Sequence, residues 1–310
     1  MIICLMGFLD FLKKDTIGID PGSRYLRIVK DGELVFNEPM QLTRAEDKTV
    51  VFPVNYTICD FHSFETVLRK ALKQIAPAKS LFPRSYKMIF SIPSGTSEIE
   101  KRAYRDAAEC AGAVEVYMIY QSYCSAMAMN LLSEKKDFIL IDFGSSKIEM
   151  TVFADGVFID SGTVRMGVSK ILRILKNYFR RKYKVDLREG EIESMLTSLK
   201  TSEISNEIKI KTITIRVEEI LNSIESVFNL VNDEFLEVLE RISAHPSGNK
   251  ILMNGIYFTG GGATIDILRA QIKLDERIST SVSKNPLLDT INGLKIVMAD
   301  REKYNKHRMA

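Results

Sequence analysis

The chain has 310 residues, of which 45% are hydrophobic and 27% charged, with a formal net charge of +3. That length suits one large domain or two medium ones with a full core and no long disordered block, and the small charge gives no argument for a nucleic-acid partner. Cys4, Cys59, Cys110 and Cys124 show no CxxC or zinc spacing, and His62, His245 and His307 are scattered. A metal site built on these residues is therefore not expected, and without a signal-peptide pattern the thiols read as reduced and cytosolic.

The chain opens on "MIICLMGFLDFLKK", which puts Leu5, Phe8, Leu9 and Leu12 at helical spacing before Lys13 and Lys14. The stretch is too short to span a bilayer and fits an amphipathic helix lying in the membrane surface. The other reading is a terminal helix packed on its own domain or on a neighbour. One such helix holds weakly, so stable attachment needs several copies.

Residues 16–41 read as two strands around a turn at 20–23 and a third strand near Leu34-Val35-Phe36. Residues 42–62 are polar with short strand-like pieces. The spacing predicts a helix over 63–76, with Ser63 as its cap and Phe64, Val67, Leu68, Ala71, Leu72 and Ile75 as its buried stripe. A buried strand at 85–93 follows, then a helix at 97–112 ended by Gly112, a strand at 113–119 and a small-residue helix at 121–132. A second hairpin covers 138–162. A basic helix follows around 168–183, then a helical stretch opening on "LREGEIESMLTSL", a strand pair at 207–216 and a helix at 217–242 broken by His245-Pro246-Ser247-Gly248. Residues 255–272 read as strand, glycine turn and helix, and 299–310 as a charged, frayed tail.

The two hairpins echo each other. "IGIDPGSRYLRIVKDG" carries Asp20, Gly22 and Ser23 at the end of an apolar strand and closes on Asp31-Gly32. "ILIDFGSSKIEMTVFADG" carries Asp142, Gly144, Ser145 and Ser146 and closes on Asp155-Gly156. Strands and helices alternate twice in the same order, which indicates an α/β protein of two similar halves facing each other across a cleft. The glycine–serine turns let backbone N–H groups approach an anion, and one turn per half can clamp a polyphosphate. Asp20 and Asp142 at the strand ends suit Mg²⁺ beside such phosphates. Gly260-Gly261-Gly262, opening a helix, can receive a nucleoside or a phosphate. Taken singly, an Asp-x-Gly hairpin is more often just a turn; order and duplication carry the reading.

These segments resemble the bacterial actin MreB, within the actin, sugar-kinase and heat-shock ATPase fold. Residues 17–39, through Asn37-Glu38-Pro39, resemble the first phosphate hairpin of that family, and 91–119 resemble it most specifically. Residues 139–167 resemble the second phosphate hairpin and 255–268 the adenosine motif. The resemblance covers nearly all of 7–298. It implies an actin-like ATPase fold of duplicated ribonuclease-H-like domains, with a first half at 15–138 and a second at 139–298. Their small subdomains fall near 40–62 and 184–245, and a membrane helix falls at 1–14. It also implies ATP and Mg²⁺ as ligands, with Asp20 and Asp142 at the metal, and Gly167 and the glycines and serines above at the nucleotide. Glu189 corresponds loosely to the ribose-side glutamate, or is an exposed charge.

The departures from the family pattern are specific. The 40–62 segment is shorter than the family's. The second turn, usually Asp-x-Gly-Gly-Gly-Thr-Thr, has Ser145 and Ser146 for two glycines and Lys147-Ile148 for the threonines; Lys147 pairs with a phosphate or fills the site. The first turn carries Pro21, Arg24 and Tyr25, and bulky Tyr25 can close the pocket. The family's Gly-Gly-Asp has become Gly167-Val168-Ser169. Gln121 replaces the glutamate that positions the attacking water; it cannot act as a base but can orient water, as the equivalent Gln of eukaryotic actin does.

The resemblance implies a cytoplasmic cytoskeletal protein, peripheral to the inner face of the cell membrane. It would form filaments with itself, hydrolyse ATP slowly and work with cell-wall elongation proteins in shape and wall organisation. The alternative is a degenerate scaffold with weak or no nucleotide binding. A small-molecule kinase of the same fold superclass would need a catalytic base and a sugar pocket, and neither is found.

Overall fold

The computed structural model describes residues 15–45, 47–76, 85–133 and 136–300. The expected membrane helix with Leu5, Phe8, Leu9 and Leu12, and all of the charged tail past Asp300, lie outside the described residues. The chain divides into two compact units. One holds the residues through Met129 together with those from Asp289 onward; the other is Asn130–Leu288.

The first unit begins with an antiparallel meander, β1 (Asp15–Pro21), β2 (Tyr25–Lys30) and β3 (Glu33–Pro39). Ile17 through Pro21 are buried without alternation, as a central strand covered on both faces requires. Asp31 (φ 51°) and Gly32 (φ 80°) close the β2–β3 hairpin with positive φ at both positions, the turn geometry that matches strand twist. The two-residue strands β4 (Leu42–Thr43), β5 (Val50–Val51), β6 (Val54–Asn55) and β7 (Thr57–Ile58) follow.

Helix α1 spans Phe61–Ile75. Its cap is Asp60, not the expected Ser63: Asp60 accepts from the Ser63 amide at 3.0 Å and from its hydroxyl at 2.8 Å. Ser63 lies buried in the first turn, where its hydroxyl supports the cap. Strand β8 (Tyr86–Ile92) runs parallel to β1 and to β9 (Ala113–Tyr120), giving the sheet order β3-β2-β1-β8-β9. Between β8 and β9, α2 (Glu98–Cys110) starts on a reciprocal cap. The Ser97 amide donates to Glu100 at 2.7 Å and the Glu100 amide to Ser97 Oγ at 3.3 Å. Helix α3 (Gln121–Ala128) ends the continuous part of this unit.

The second unit repeats the plan. Strands β10 (Phe138–Phe143), β11 (Ile148–Ala154) and β12 (Val157–Val164) form a meander closed by Asp155 (φ 50°) and Gly156 (φ 73°). Helix α4 (Val168–Tyr178) then widens into a π-turn over Phe179–Tyr183, where an uninterrupted helix is expected. The widened turn presents Tyr178, Lys182 and Tyr183 to one acceptor, Glu219. Helix α5 (Glu189–Ser198), strands β13 (Glu207–Ile210) and β14 (Ile213–Arg216), α6 (Val217–Asn222) and α7 (Glu225–Ser243) follow. The single helix expected at 217–242 is thus two. Ser223 Oγ donates to the Ile220 carbonyl at 2.6 Å and competes with the helical ladder there.

Helix α8 (Gly248–Asn254) leads into β15 (Ile256–Thr259), which lies parallel to β10 and to β16 (Thr280–Val282). The second sheet therefore has the order β12-β11-β10-β15-β16, the same arrangement as the first. After Gly260 the chain makes a 3-10 turn and only a four-residue helix, α9 (Asp266–Arg269), in place of the longer helix expected to 272.

The last helix, α10 (Asp289–Ala299), belongs to the first unit and packs on β1 and α3. A Cβ on Gly293 would run into the Cys124 carbonyl, and one on Gly18 would lie 2.7 Å from Met298 Sδ. Ser125 and Thr290 join their hydroxyls at 3.1 Å. Each sheet carries its own apolar core: Ile17, Ile19, Phe64, Phe90 and Tyr104 in the first unit, Ile141, Phe143, Ile171, Phe179 and Phe235 in the second.

Candidate functional site

In the first unit the expected residues Asp20 and Gln121 come together although a hundred residues of chain separate them. Asp20 lies one residue before the end of β1 and is buried, 4% exposed as a residue. Its Oδ1 accepts from Ser91 Oγ at 3.0 Å and from Gln121 Nε2 at 3.4 Å. Its Oδ2 takes the Arg27 guanidinium at 3.2 Å. The antiparallel register fixes this ion pair, because Asp20 and Arg27 lie directly opposite each other on β1 and β2. The guanidinium also lies beside the Tyr25 ring, 5.3 Å from its centroid. Ser23, in the turn next to Gly22, accepts a hydrogen bond from the Tyr56 amide at 3.3 Å. Tyr56 is buried with φ at 74°, so the short 54–58 hairpin is held against the turn at some backbone cost.

In the second unit three expected segments form one assembly. The Gly144 amide closes the turn onto the Lys147 carbonyl at 2.9 Å. The first amides of α4 donate to the turn, Val168 to the Gly144 carbonyl at 3.1 Å and Ser169 to the Ser145 carbonyl at 2.9 Å. The hydroxyls of Ser145 and Ser169 meet at 2.6 Å. Gly167 presses so closely on this turn that a Cβ would lie 2.7 Å from the Ser145 carbonyl and 2.8 Å from the Lys147 nitrogen. On the other side Gly260 (φ 83°) meets Asp142 and the Phe143 carbonyl, and Gly262 meets Phe143 and Val168. Gly260 and Gly262 are thus required by the protein's own close packing, whereas Gly261 meets only the side chain of Leu287, at 3.1 Å.

Lys147 is buried and ion-paired with Glu149, which lies directly across the β10–β11 pair from Asp142. Of the two roles expected for it, the structure shows an ammonium engaged within the protein. Ser146 sits half-buried in the same turn. Glu189 is exposed in the first turn of α5, as the reading of it as a surface charge expects.

Arg27, Ser91 and Glu149 take part in these networks and were not singled out from sequence, and Ser169 stood out only as a departure from the family pattern. A signal existed for two of them: in each hairpin the residue opposite the turn's aspartate stands at the same spacing after it, Arg27 after Asp20 and Glu149 after Asp142.

The donor set fits a phosphate-bearing ligand better than a divalent cation. Turn amides and serine hydroxyls are anion donors, whereas the Asp20 carboxylate already carries a guanidinium. Among the described residues no group of three or more His, Cys, Asp or Glu side chains could hold a metal ion. Nor, among them, is any helix long and apolar enough to cross a membrane.

Two five-stranded sheets of one order, each with its Asp-x-Gly-Ser turn, define an actin-like fold, and solved structures share it. MreB5 of Spiroplasma citri bound to AMPPNP matches with a TM-score of 0.78 at 18% identity over 95% of this chain and 98% of that one. The MamK double helical filament matches at 0.74 and 14% identity, over 93% and 99%. The family model described as MreB/Mbl protein matches residues 40–306. The chain belongs to the MreB/Mbl family. Among its relatives, the cell shape-determining protein MreB of Escherichia coli K12 is 26% identical over 251 residues, 76% of this chain and 72% of that protein. The cell shape-determining protein Mbl of Bacillus subtilis is 22% identical, over 95% and 98%.

Proposed function

We propose that this chain is a nucleotide-binding cytoskeletal protein that assembles into filaments on the inner membrane surface and serves cell shape and wall organisation. The observation that carries the reading is the second unit's assembly: the 142–147 turn locked between the start of α4 and the 260–262 turn, in a member of the MreB/Mbl family. Relatives with related sequences determine cell shape, one structural neighbour is bound to AMPPNP, another to ADP, and a third is a filament.

In this reading Gly144, Ser145, Ser146 and Gly22, Ser23 meet phosphates, and Gly261 beside Leu287 takes the nucleoside. Gln121 donates its amide N–H to Asp20, so its carboxamide oxygen is the acceptor that would orient a water. ATP is the expected nucleotide and any hydrolysis is slow. Residues 1–14, with Phe8 on the apolar side, attach the filament to the membrane, and cell-wall elongation proteins are its partners.

Calorimetric titration with ADP and ATP tests the binding. Micromolar affinity that Asp142→Ala abolishes supports it. Pelleting that rises with protein concentration and responds to nucleotide supports filaments, and Phe8→Glu should abolish co-sedimentation with liposomes. A second reading, a scaffold that keeps the fold with little nucleotide binding, draws on the internal Lys147–Glu149 and Asp20–Arg27 pairs. Pelleting without any binding at millimolar nucleotide would favour it.

A further inference from the structure

We propose that Arg27 holds the place of a divalent cation at Asp20, so that the first turn engages phosphate without a metal ion on that carboxylate. The inference rests on the nucleotide-binding reading above and concerns the first unit alone. Three observations point the same way.

First, both Asp20 oxygens are engaged. Oδ1 receives the Ser91 hydroxyl and the Gln121 amide, and Oδ2 receives Arg27 at 3.2 Å. The pair is largely dehydrated, with side-chain exposures of 13% for Arg27 and 5% for Asp20. A divalent cation on either oxygen would stand close to a fixed positive charge in a poorly screened place. Arginine keeps its proton at any ordinary pH, so the guanidinium does not yield.

Second, Arg27 Nε is buried and has no hydrogen-bond partner among the described residues. A buried donor left over requires an acceptor, and a phosphate oxygen or a bridging water supplies one where a cation cannot. Third, Gln121 opens α3, whose preceding residue, Tyr120, gives no side-chain cap. The positive end of that helix adds to the guanidinium's field beside Asp20, favouring anions over cations. Strand register makes the arrangement permanent, because Arg27 is the cross-strand neighbour of Asp20.

The test compares ADP affinity in Mg²⁺ and in EDTA for the full chain and its variants, taking the ratio of the two dissociation constants as the metal dependence. Asp20→Asn should leave that ratio within about threefold of wild type, since no metal sits on Asp20. Arg27→Leu should raise it by about tenfold or more by freeing the carboxylate for the cation, and Asp20→Asn/Arg27→Leu should return it to the wild-type value. Arg27→Lys, which keeps the charge and guards against loss of fold, should behave as wild type. A ratio that falls about tenfold in Asp20→Asn, as for a lost metal ligand, overturns the proposal; so does an unchanged ratio in Arg27→Leu.

If ADP binds in neither condition, the nucleotide reading itself fails, and Mn²⁺ added alone decides the point through water-proton relaxation. Wild type and Asp20→Asn should then be indistinguishable while Arg27→Leu gains a signal that the double variant lacks. A wild-type signal removed by Asp20→Asn, or no gain in Arg27→Leu, overturns the proposal.

Discussion

In the first hairpin Asp20 faces Arg27 across β1 and β2; in the second, Asp142 faces Glu149 across β10 and β11. The backbone plan is one, down to the Asp-Gly closing turns with positive φ at both residues. The charges are opposite. The first hairpin neutralises its aspartate directly, across the strands. The second puts a like charge there and cancels it with Lys147 from the turn, burying the ammonium within the unit. The turns differ in packing as well. Gly22 meets only the Tyr25 carbonyl, at 3.1 Å, while Gly167, Gly260 and Gly262 are wedged against the second turn. A duplicated fold fixes where a side chain stands, not what charge it carries.

The largest effect should separate the two turns. Gly260→Ala puts a side chain at φ 83° with the Phe143 carbonyl 2.7 Å away. Backbone strain and overlap together should cost about 4 kcal/mol in urea unfolding, whereas Gly22→Ala should cost about 1 kcal/mol or less. Equal losses would mean that the turns are equally tight. Next, Lys147→Met removes the ammonium that is ion-paired with buried Glu149, and should cost about 3 kcal/mol by the same measurement. Lys147→Met/Glu149→Leu should recover most of that loss, because a matched apolar pair replaces a matched ionic one. No recovery would assign the loss to packing.

The first unit's α2 gives a smaller effect. Ser97→Ala removes one half of a reciprocal cap and should cost about 1 kcal/mol, seen as a modest drop in the midpoint. The smallest belongs to the second unit alone. Lys182, with the largest effect, and the hydroxyls of Tyr178 and Tyr183 hold the Glu219 carboxyl down from its ordinary 4.5 to about 2. A depressed carboxyl contributes stability that is present above its unfolded value and lost as pH falls toward the folded one. The acid limb between pH 4.5 and about 2 should therefore flatten slightly in Glu219→Gln. Lys182 is 52% exposed, so added salt should weaken the difference.

Much of this was legible in sequence because it is local. Apolar runs ending in Asp-x-Gly-Ser, Asp-Gly closings and the helix expected at 97–112 depend on residues a few positions apart, and each appears close to where it is expected. What stayed hidden depends on distant partners. Strand β16 is three exposed residues that exist as a strand only because β15 lies alongside, and neither it nor α10 was read from residues 273–298. Asp60 displaced Ser63 as a cap by reaching forward to the Ser63 amide in the first turn. The Asp20–Ser91–Gln121 network joins three separate elements, so only its members' types were visible. Arg27 could have been found by counting strand register outward from the turn.

Helix α10 has a consequence for synthesis. The first unit's sheet is complete when Tyr120 has been made, yet the helix that covers β1 and α3 comes only after the whole second unit. While the ribosome translates the intervening residues, Gly18 and the Cys124 turn of α3 have no cover from Gly293, Leu294 and Met298. The nascent first unit is then an unfinished domain with an apolar face open to chaperones or to other chains. A chain cut after Leu288 keeps every residue of both turns and should still lose its first unit.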